Sequence, residues 1–322
     1  MPEPQFGVAL ENFCPAPDTP SADAILAYAS HAESLGFASV WAWDHILLGT
    51  KRPFPFLESL ATLTAIAART QRLQLGIGVL VLPLRNPVIL AKELASLDQI
   101  SKGRLALGLA AGWYEREFQA CGVPFAERGK IFVKNLEIMR RLWTEDRVDG
   151  SVDNYVFNQA VMLPKPFQRP HPPLFIGGYV DRVLRRVARY GDGWLTYFYT
   201  PDTFRATWAR IRGFAEEQGR NPAELRNVSQ LPICVAASYE EADRGIKAFI
   251  GRYFDVAPWS ESTPESAIRG TPAQCAEQLA AHLAAGVEHI VLIPSEYRPE
   301  QLEVIAHEVL PKLRPGARRV HA

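Results

Sequence analysis

Apolar residues at helical spacing alternate along this chain with short β-branched or aromatic runs, and a glycine or polar turn separates each run from the next. Residues 6–10 read as the first strand. A helix capped by Ser21 then carries Ile25, Tyr28, Ala29 and Ala32 on one face and stops at Gly36, where a left-handed residue costs little. Further strands are expected over 39–44, 73–82 and 105–110. They are separated by helices over 58–70 and from Asn86-Pro87, a cap residue followed by proline at the first helical position, to about Gly103. A helix over 127–143 and a polar hairpin over 146–159 precede strands over 174–176 and 194–197, with a helix over 180–190 between them. Helix 203–218, strand 228–235, helix 240–250, an irregular stretch over 255–270, a helix from Thr271-Pro272 to Gly286, strand 289–293 and helix 300–313 complete the chain.

Eight strands alternating with helices predict an α/β fold, a (β/α)8 TIM barrel. A doubly wound sheet is disfavoured because the first strand-to-helix turn carries no glycine fingerprint. No linker divides the pattern. The expectation is a single domain over residues 1–314, with insertions near 47–57, 146–159 and 255–270 and a frayed tail over 315–322.

Composition narrows the function. The 322 residues are 48% hydrophobic and carry 35 basic against 35 acidic side chains, so no net charge draws the chain to nucleic acid or an anionic membrane. The longest apolar run, over 75–84, falls short of the roughly 20 residues that span a bilayer. The opening Met1-Pro2-Glu3-Pro4-Gln5 lacks a basic stretch followed by an apolar one, and Cys14, Cys121, Cys234 and Cys275 lie far apart, so free thiols and a cytoplasmic location are expected.

In a barrel of this kind the chemistry sits after the strands, on one face. Of the histidines only His45 directly follows a strand, with Asp44 beside it; it is either a proton donor at the mouth or a loop-capping residue. The same sorting marks Arg85, Trp113, Glu115, Gly177, Gly178, Tyr197, Tyr199 and Glu296. His289 precedes a strand and falls on the opposite, stability face. The mouth is therefore aromatic and lightly charged, which suits a planar conjugated ligand. Trp43, Trp113 and Trp194 serve such a ligand or pack as ordinary core and rim. Gly177-Gly178, leading into a helix with Arg182, Arg185 and Arg186, offers backbone amides to a phosphate or forms only a tight turn. No His-x-His and no His-Glu-x-x-His occurs, so no metal is expected. No Gly-x-Ser-x-Gly elbow supports a serine nucleophile.

Segments 35–45, 75–87, 101–113, 176–178 and 190–194 together resemble the bacterial luciferase-like superfamily, especially its branch that uses the deazaflavin coenzyme F420. The resemblance implies that His45 acts as general acid or base near a reactive ring. It also implies that Gly78-Val79 forms a non-prolyl cis peptide supporting that ring from behind. Gly177 and Gly178 would hold the phosphate end, and the turn with Gly112, Trp113 and Glu115 would line the mouth. Asp44, His45 and Glu115 are thus the catalytic candidates, and Trp43, Gly78, Val79, Gly112, Trp113, Gly177, Gly178 and Trp194 the cofactor-binding ones. Ala110 and Ala111 stand where luciferase proper has a reactive cysteine and a phosphate-binding arginine, which favours F420 over FMN. The implied function is hydride transfer between the cofactor and a small organic substrate. The alternatives are a monooxygenase using reduced FMN and a non-catalytic flavin-binding protein; a metal-independent lyase or isomerase on the same barrel is a further rival. The resemblance also implies a homodimer joined through the second and third helices.

Overall fold

The structure, a computed structural model, describes residues 3–49, 52–254 and 265–313. Its first half runs β1 (Gln5–Ala9), α1 (Ala22–Ser34), β2 (Ser39–Ala42), β3 (Leu48–Gly49), β4 (Pro53–Phe54), α2 (Ser59–Arg69), β5 (Gln74–Val81), α3 (Pro87–Ser101), β6 (Leu105–Ala110), α4 (Glu115–Ala120) and α5 (Arg128–Thr144). The second half runs β7 (Val148–Val152), β8 (Tyr155–Ala160), β9 (Leu174–Gly177), α6 (Asp181–Tyr190), β10 (Gly193–Tyr197), α7 (Pro201–Glu217), β11 (Arg226–Val235), α8 (Tyr239–Tyr253), β12 (Ile268–Gly270), α9 (Pro272–Ala284), β13 (His289–Pro294) and α10 (Pro299–Val304).

Eight of these strands pair in parallel in the order β10-β9-β6-β5-β2-β1-β13-β11, and the pairing of β10 with β11 closes the ring into a (β/α)8 barrel. They are the strands marked by the apolar pattern. The helices meet the barrel through the faces the pattern assigned: Ile25, Tyr28, Ala29 and Ala32 of α1 are all buried, each large apolar side chain contributing about 1.5–3 kcal/mol. Capping follows the sequence signals. Ser21 accepts the amide of Ala24, Asn86 accepts those of Val88 and Ile89, and Thr271 forms a capping box with Gln274. No helix among the described residues is long and apolar enough to cross a membrane.

Four differences from the sequence reading bear on the site. The second strand ends at Ala42, leaving Asp44 and His45 on the loop above it. The insertion at 47–57 carries the two-stranded β3–β4 ribbon, whereas the polar hairpin forms as expected, as β7–β8. Of the irregular stretch, residues 255–264 lie outside the described residues, as does the tail 315–322, while β12 extends the parallel pairing of β11. A six-residue helix, α4, forms over Glu115–Ala120, too short for its apolar spacing to register in the sequence.

At the amino-terminal end of the barrel, the stability face where it was expected, His289 is buried with its side chain turned inward. It is the first residue of β13, and its Nε2 lies 2.8 Å from Ser39 Oγ, which also accepts the Trp41 indole N–H at 2.9 Å. Burial pushes the His289 pKa down to about 4. The Trp41 indole fills the space opposite Gly76, where a Cβ would meet the ring at 2.1 Å. One strand over, the pairing of β5 with β6 slips by one residue between Ile77 and Leu80, so Gly78-Val79 forms a bulge at the mouth end. That peptide is cis.

Candidate active site

A cavity of about 1110 Å³ opens at the carboxyl ends of the barrel strands. The Gly78-Val79 bulge lies on its wall. Gly78 faces Gln230 of β11, where a Cβ would come within 2.1 Å of the side-chain nitrogen, so only glycine leaves room for that carboxamide. Gln230 is buried, and neither its nitrogen nor its oxygen has a hydrogen-bond partner among the described residues. Trp43 and Tyr197 also line the cavity, with rings 5.9 Å apart and 26° from parallel. Asn12, fully buried three residues after β1, fixes the Trp43 backbone by accepting its N–H at 2.8 Å and donating to its carbonyl at 2.8 Å.

His45 lines the same cavity, and its partner is a residue the sequence reading passed over. Its Nδ1 lies 3.0 Å from a carboxylate oxygen of Glu117. The Glu117 side chain is 1% exposed, and its other oxygen accepts the backbone amides of Ile46 at 2.5 Å and Leu47 at 3.1 Å. A carboxylate only accepts, so Nδ1 carries a proton, and in the neutral imidazole Nε2 is left with a lone pair. The imidazole meets Phe56 and Trp113 edge-on, at 5.6 and 5.9 Å. The candidate Glu115, two residues earlier on α4, is exposed and stands outside the cavity wall. Helical geometry puts residues two apart on different faces, which is why Glu117 and not Glu115 reaches the histidine.

Asp44 is also on the cavity wall, with both oxygens already engaged. They accept Arg85 Nη1 and Nη2 at 2.8 and 2.6 Å, the Val81 amide at 2.9 Å and the Ser59 hydroxyl at 2.8 Å. Asp44 thus ties the end of β5 to α2 and acts as a positioning group, and Arg85 is spent on it. Trp194 is fully buried outside the ring, stacked 5.5 Å from Phe204, and touches the site only by donating its indole N–H to the Gly178 carbonyl at 3.1 Å. Tyr199 packs behind it, and Glu296 pairs with Arg298 away from the mouth.

The walls after β6 and β9 are basic and built close to the backbone. Gly112, at φ +82°, has no room for a Cβ against Val81 and Phe118, and a Cβ on Gly177 would touch Val79 at 3.0 Å. Arg128 is spent on the carbonyls of Gly112 and Phe125, and Lys134 pairs with Asp153 of the β7–β8 hairpin at 2.8 Å. Arg182 and Lys130 line the cavity without a hydrogen bond or ion pair among the described residues. Arg185 points away to Glu217. Burial and neighbouring Arg182 push the Arg186 pKa down, so an anion between the two guanidiniums relieves their crowding.

A glycine-lined bulge, a stacked aromatic wall, a carboxylate-bound histidine and a cationic edge define a barrel oxidoreductase site shaped for a planar, anionic-tailed cofactor. The family comparison agrees: residues 5–289 match the model of the luciferase-like monooxygenases, and the chain belongs to that family. It is 29% identical over 287 residues to an FMNH2-dependent dimethylsulfone monooxygenase of Pseudomonas putida, covering 80% of this chain and 78% of that one. It is 26% identical over 319 residues to an F420-dependent glucose-6-phosphate dehydrogenase of Amycolatopsis mediterranei, covering 90% and 94%. Its fold superposes on a monooxygenase from Streptomyces bottropensis with a TM-score of 0.82 and 24% identity, over 96% of this chain and 100% of the other.

Proposed function

We propose that the protein uses the deazaflavin coenzyme F420 for hydride transfer to or from a small organic substrate. The observation that carries this reading is the His45–Glu117 pair, 3.0 Å apart, set in one cavity with the Gly78-Val79 bulge and a cationic edge. When bound, the deazaflavin ring supplies a hydride donor or acceptor and does not activate oxygen.

The rest falls to this chain's own residues. Gly78 and Val79 would back the ring, with Trp43 and Tyr197 flanking it. Gly177 and Gly178 would let the backbone approach the phosphate, and Arg182, Arg186 and Lys130 would neutralise the tail. His45 Nε2 would take or return the substrate proton, with the charge that forms on the ring facing Glu117. The cavity, at about 1110 Å³, exceeds the ~300–1,000 Å³ of a single-ligand site, which leaves room for cofactor and substrate together.

Reduced FMN as the cofactor of a monooxygenase is the second reading. Ala110 and Ala111 on the cavity wall weigh against it, because they offer no cation to a short phosphate tail. Fluorescence titration decides between the two. F420 is expected to bind at micromolar concentration and FMN at least tenfold more weakly. FMN binding as tight as F420 reverses the cofactor assignment, and binding of neither removes the oxidoreductase reading.

The reading extends to a homodimer through α2 and α3, supported by the outward Ile89 and Ile100 of α3, 59% and 52% exposed. Sedimentation of the wild type against Ile89→Lys tests it, and an unchanged oligomer overturns it. Four free cysteines, with the buried Cys275 thiol pushed up to about 12, suit the reducing cytoplasm.

A further inference from the structure

The cavity is divided by charge. Its cations, Arg128, Lys130, Lys134, Arg182 and Arg186, follow β6 and β9. The opposite sector, after β1, β2 and β10 and against the end of α8, is walled by aromatic rings. Phe13 is at its centre, stacked on Phe56 at 4.7 Å and 6°, and edge-on to Trp43 and Tyr253 at 5.6 and 5.5 Å. Phe54 closes against it at 6.0 Å.

The charged groups bordering that sector among the described residues are already engaged, Arg52, 5.6 Å over the Phe54 ring, by the carbonyls of Gly251 and Arg252. Asp44 holds Arg85 in two hydrogen bonds. Glu117 holds His45 and two backbone amides. Glu11, behind the ring of Tyr253, accepts its hydroxyl. Burial, with smaller contributions from neighbouring acidic groups, pushes the Tyr197 and Tyr253 phenols up, so they stay neutral. Among the described residues, a carboxylate or phosphate seated here would leave water without meeting an uncommitted cation, and an ammonium would find no uncommitted carboxylate; either loss is large in a site of this kind.

Resting on the oxidoreductase reading above, we propose that the substrate is an uncharged, largely apolar hydroxyl or carbonyl compound. It is held in the Phe13–Phe56 sector with its oxygen at His45 Nε2. The His45 lone pair matches a hydroxyl, and the rings match a flat or cyclic hydrocarbon body. The same argument weighs against sugar phosphates and carboxylates, with the cationic edge given to the cofactor tail.

The test uses probes of one shape and different charge: 1-phenylethanol, mandelate and 2-amino-1-phenylethanol, with cyclohexanol as a second neutral body. Each is titrated by calorimetry into the full chain, alone and saturated with oxidised F420. The neutral probes are expected to bind at millimolar concentration or tighter, and the two charged ones at least about tenfold more weakly. Phe13→Leu is expected to weaken 1-phenylethanol about two- to tenfold while F420 affinity stays within about twofold. Mandelate or the amino alcohol binding as well as the neutral probe overturns the proposal, as does absence of saturable binding by both neutral probes up to about 10 mM. If F420 binds and the charge ranking fails, only this inference falls. If neither F420 nor FMN binds, the oxidoreductase reading falls first.

Discussion

Replacing Glu117 separates two roles carried by one carboxylate. Its oxygens accept from His45 Nδ1 at 3.0 Å, Ile46 N at 2.5 Å and Leu47 N at 3.1 Å, and the side chain is 1% exposed. In Glu117→Ala all three donors lose their acceptor, at about 1–3 kcal/mol for each group left unsatisfied. Because Ile46 and Leu47 are 42% and 54% exposed, water can reach part of that loop. The expected destabilisation is therefore about 2–5 kcal/mol, or roughly 3–7 °C in melting temperature for a chain of this length. In Glu117→Gln the amide oxygen can still serve the two backbone amides, and the loss falls to about 1–2 kcal/mol because only the charge assistance goes. The amide nitrogen then faces His45 Nδ1, and since it can only donate, the imidazole proton must move to Nε2. A base becomes a donor with the fold intact, and turnover is expected to fall about 10²–10⁴-fold. Nitrogen-15 spectra of histidine-labelled protein, with His45→Ala to assign the signal, report the tautomer without any substrate. The reasoning is refuted if His45 shows the same tautomer in the wild type and Glu117→Gln, or if Glu117→Ala melts with the wild type.

His289 and His282 are both buried with pKa values lowered to about 4 by desolvation. Their stabilising effect is complete above pH 6.5 and is lost as pH falls toward 4, by about 3 kcal/mol for each; urea midpoints at pH 7 and 4.5 should show a His289→Gln variant losing less on acidification than the wild type. Asp44→Asn leaves the Arg85 guanidinium with only the exposed Glu58, at 3.2 Å, as counter-charge, with a cost of at most about 3–5 kcal/mol in chemical denaturation; an unchanged midpoint would contradict the positioning role. Gly78→Ala places a methyl about 2.1 Å from the Gln230 nitrogen, so F420 affinity should drop and partly recover when Gln230→Ser is added; equal affinities in both variants would mean the carboxamide does not support the bulge. Arg182→Ala should weaken F420 binding and flatten its dependence on salt, and an unaltered salt slope would remove Arg182 from the tail site.

What was legible in the sequence follows the range of the signals. The eight strands were, because each is a short apolar run next to a helix whose 3.6-residue stripe must face it, and both periods are local. The mouth was legible in part through position after a strand, which assigns a face to His45, Trp113, Gly177 and Gly178, and in part through the family resemblance, which pointed to Gly78 and Gly112; all of these line the cavity. Trp194 stands at the start of its strand, so the position rule did not mark it, and side chains alternate along a strand. With Tyr197 facing inward, Trp194 three residues earlier faces the outer helices. His289 lies on the stability face as its place before the apolar run implied; only its inward turn, set by the alternation of β13, went unread.

Glu117 shows where local reading stops. Between Glu115 and Glu117 nothing in the sequence chooses, since both are acidic residues in the same polar turn, and α4 is a single short helix with no long stripe to orient it. The choice is made by Phe118, which is fully buried against Phe125 and Gly112. Once that ring is fixed, the preceding residue is turned inward toward the loop after β2, some 70 residues earlier, and Glu115 is turned to solvent. A buried carboxylate is tolerated only where donors meet it, and the amides of Ile46 and Leu47 with His45 Nδ1 are those donors. The acid that orients the histidine is thus selected by a packing contact and two backbone groups, none of which has a residue signature.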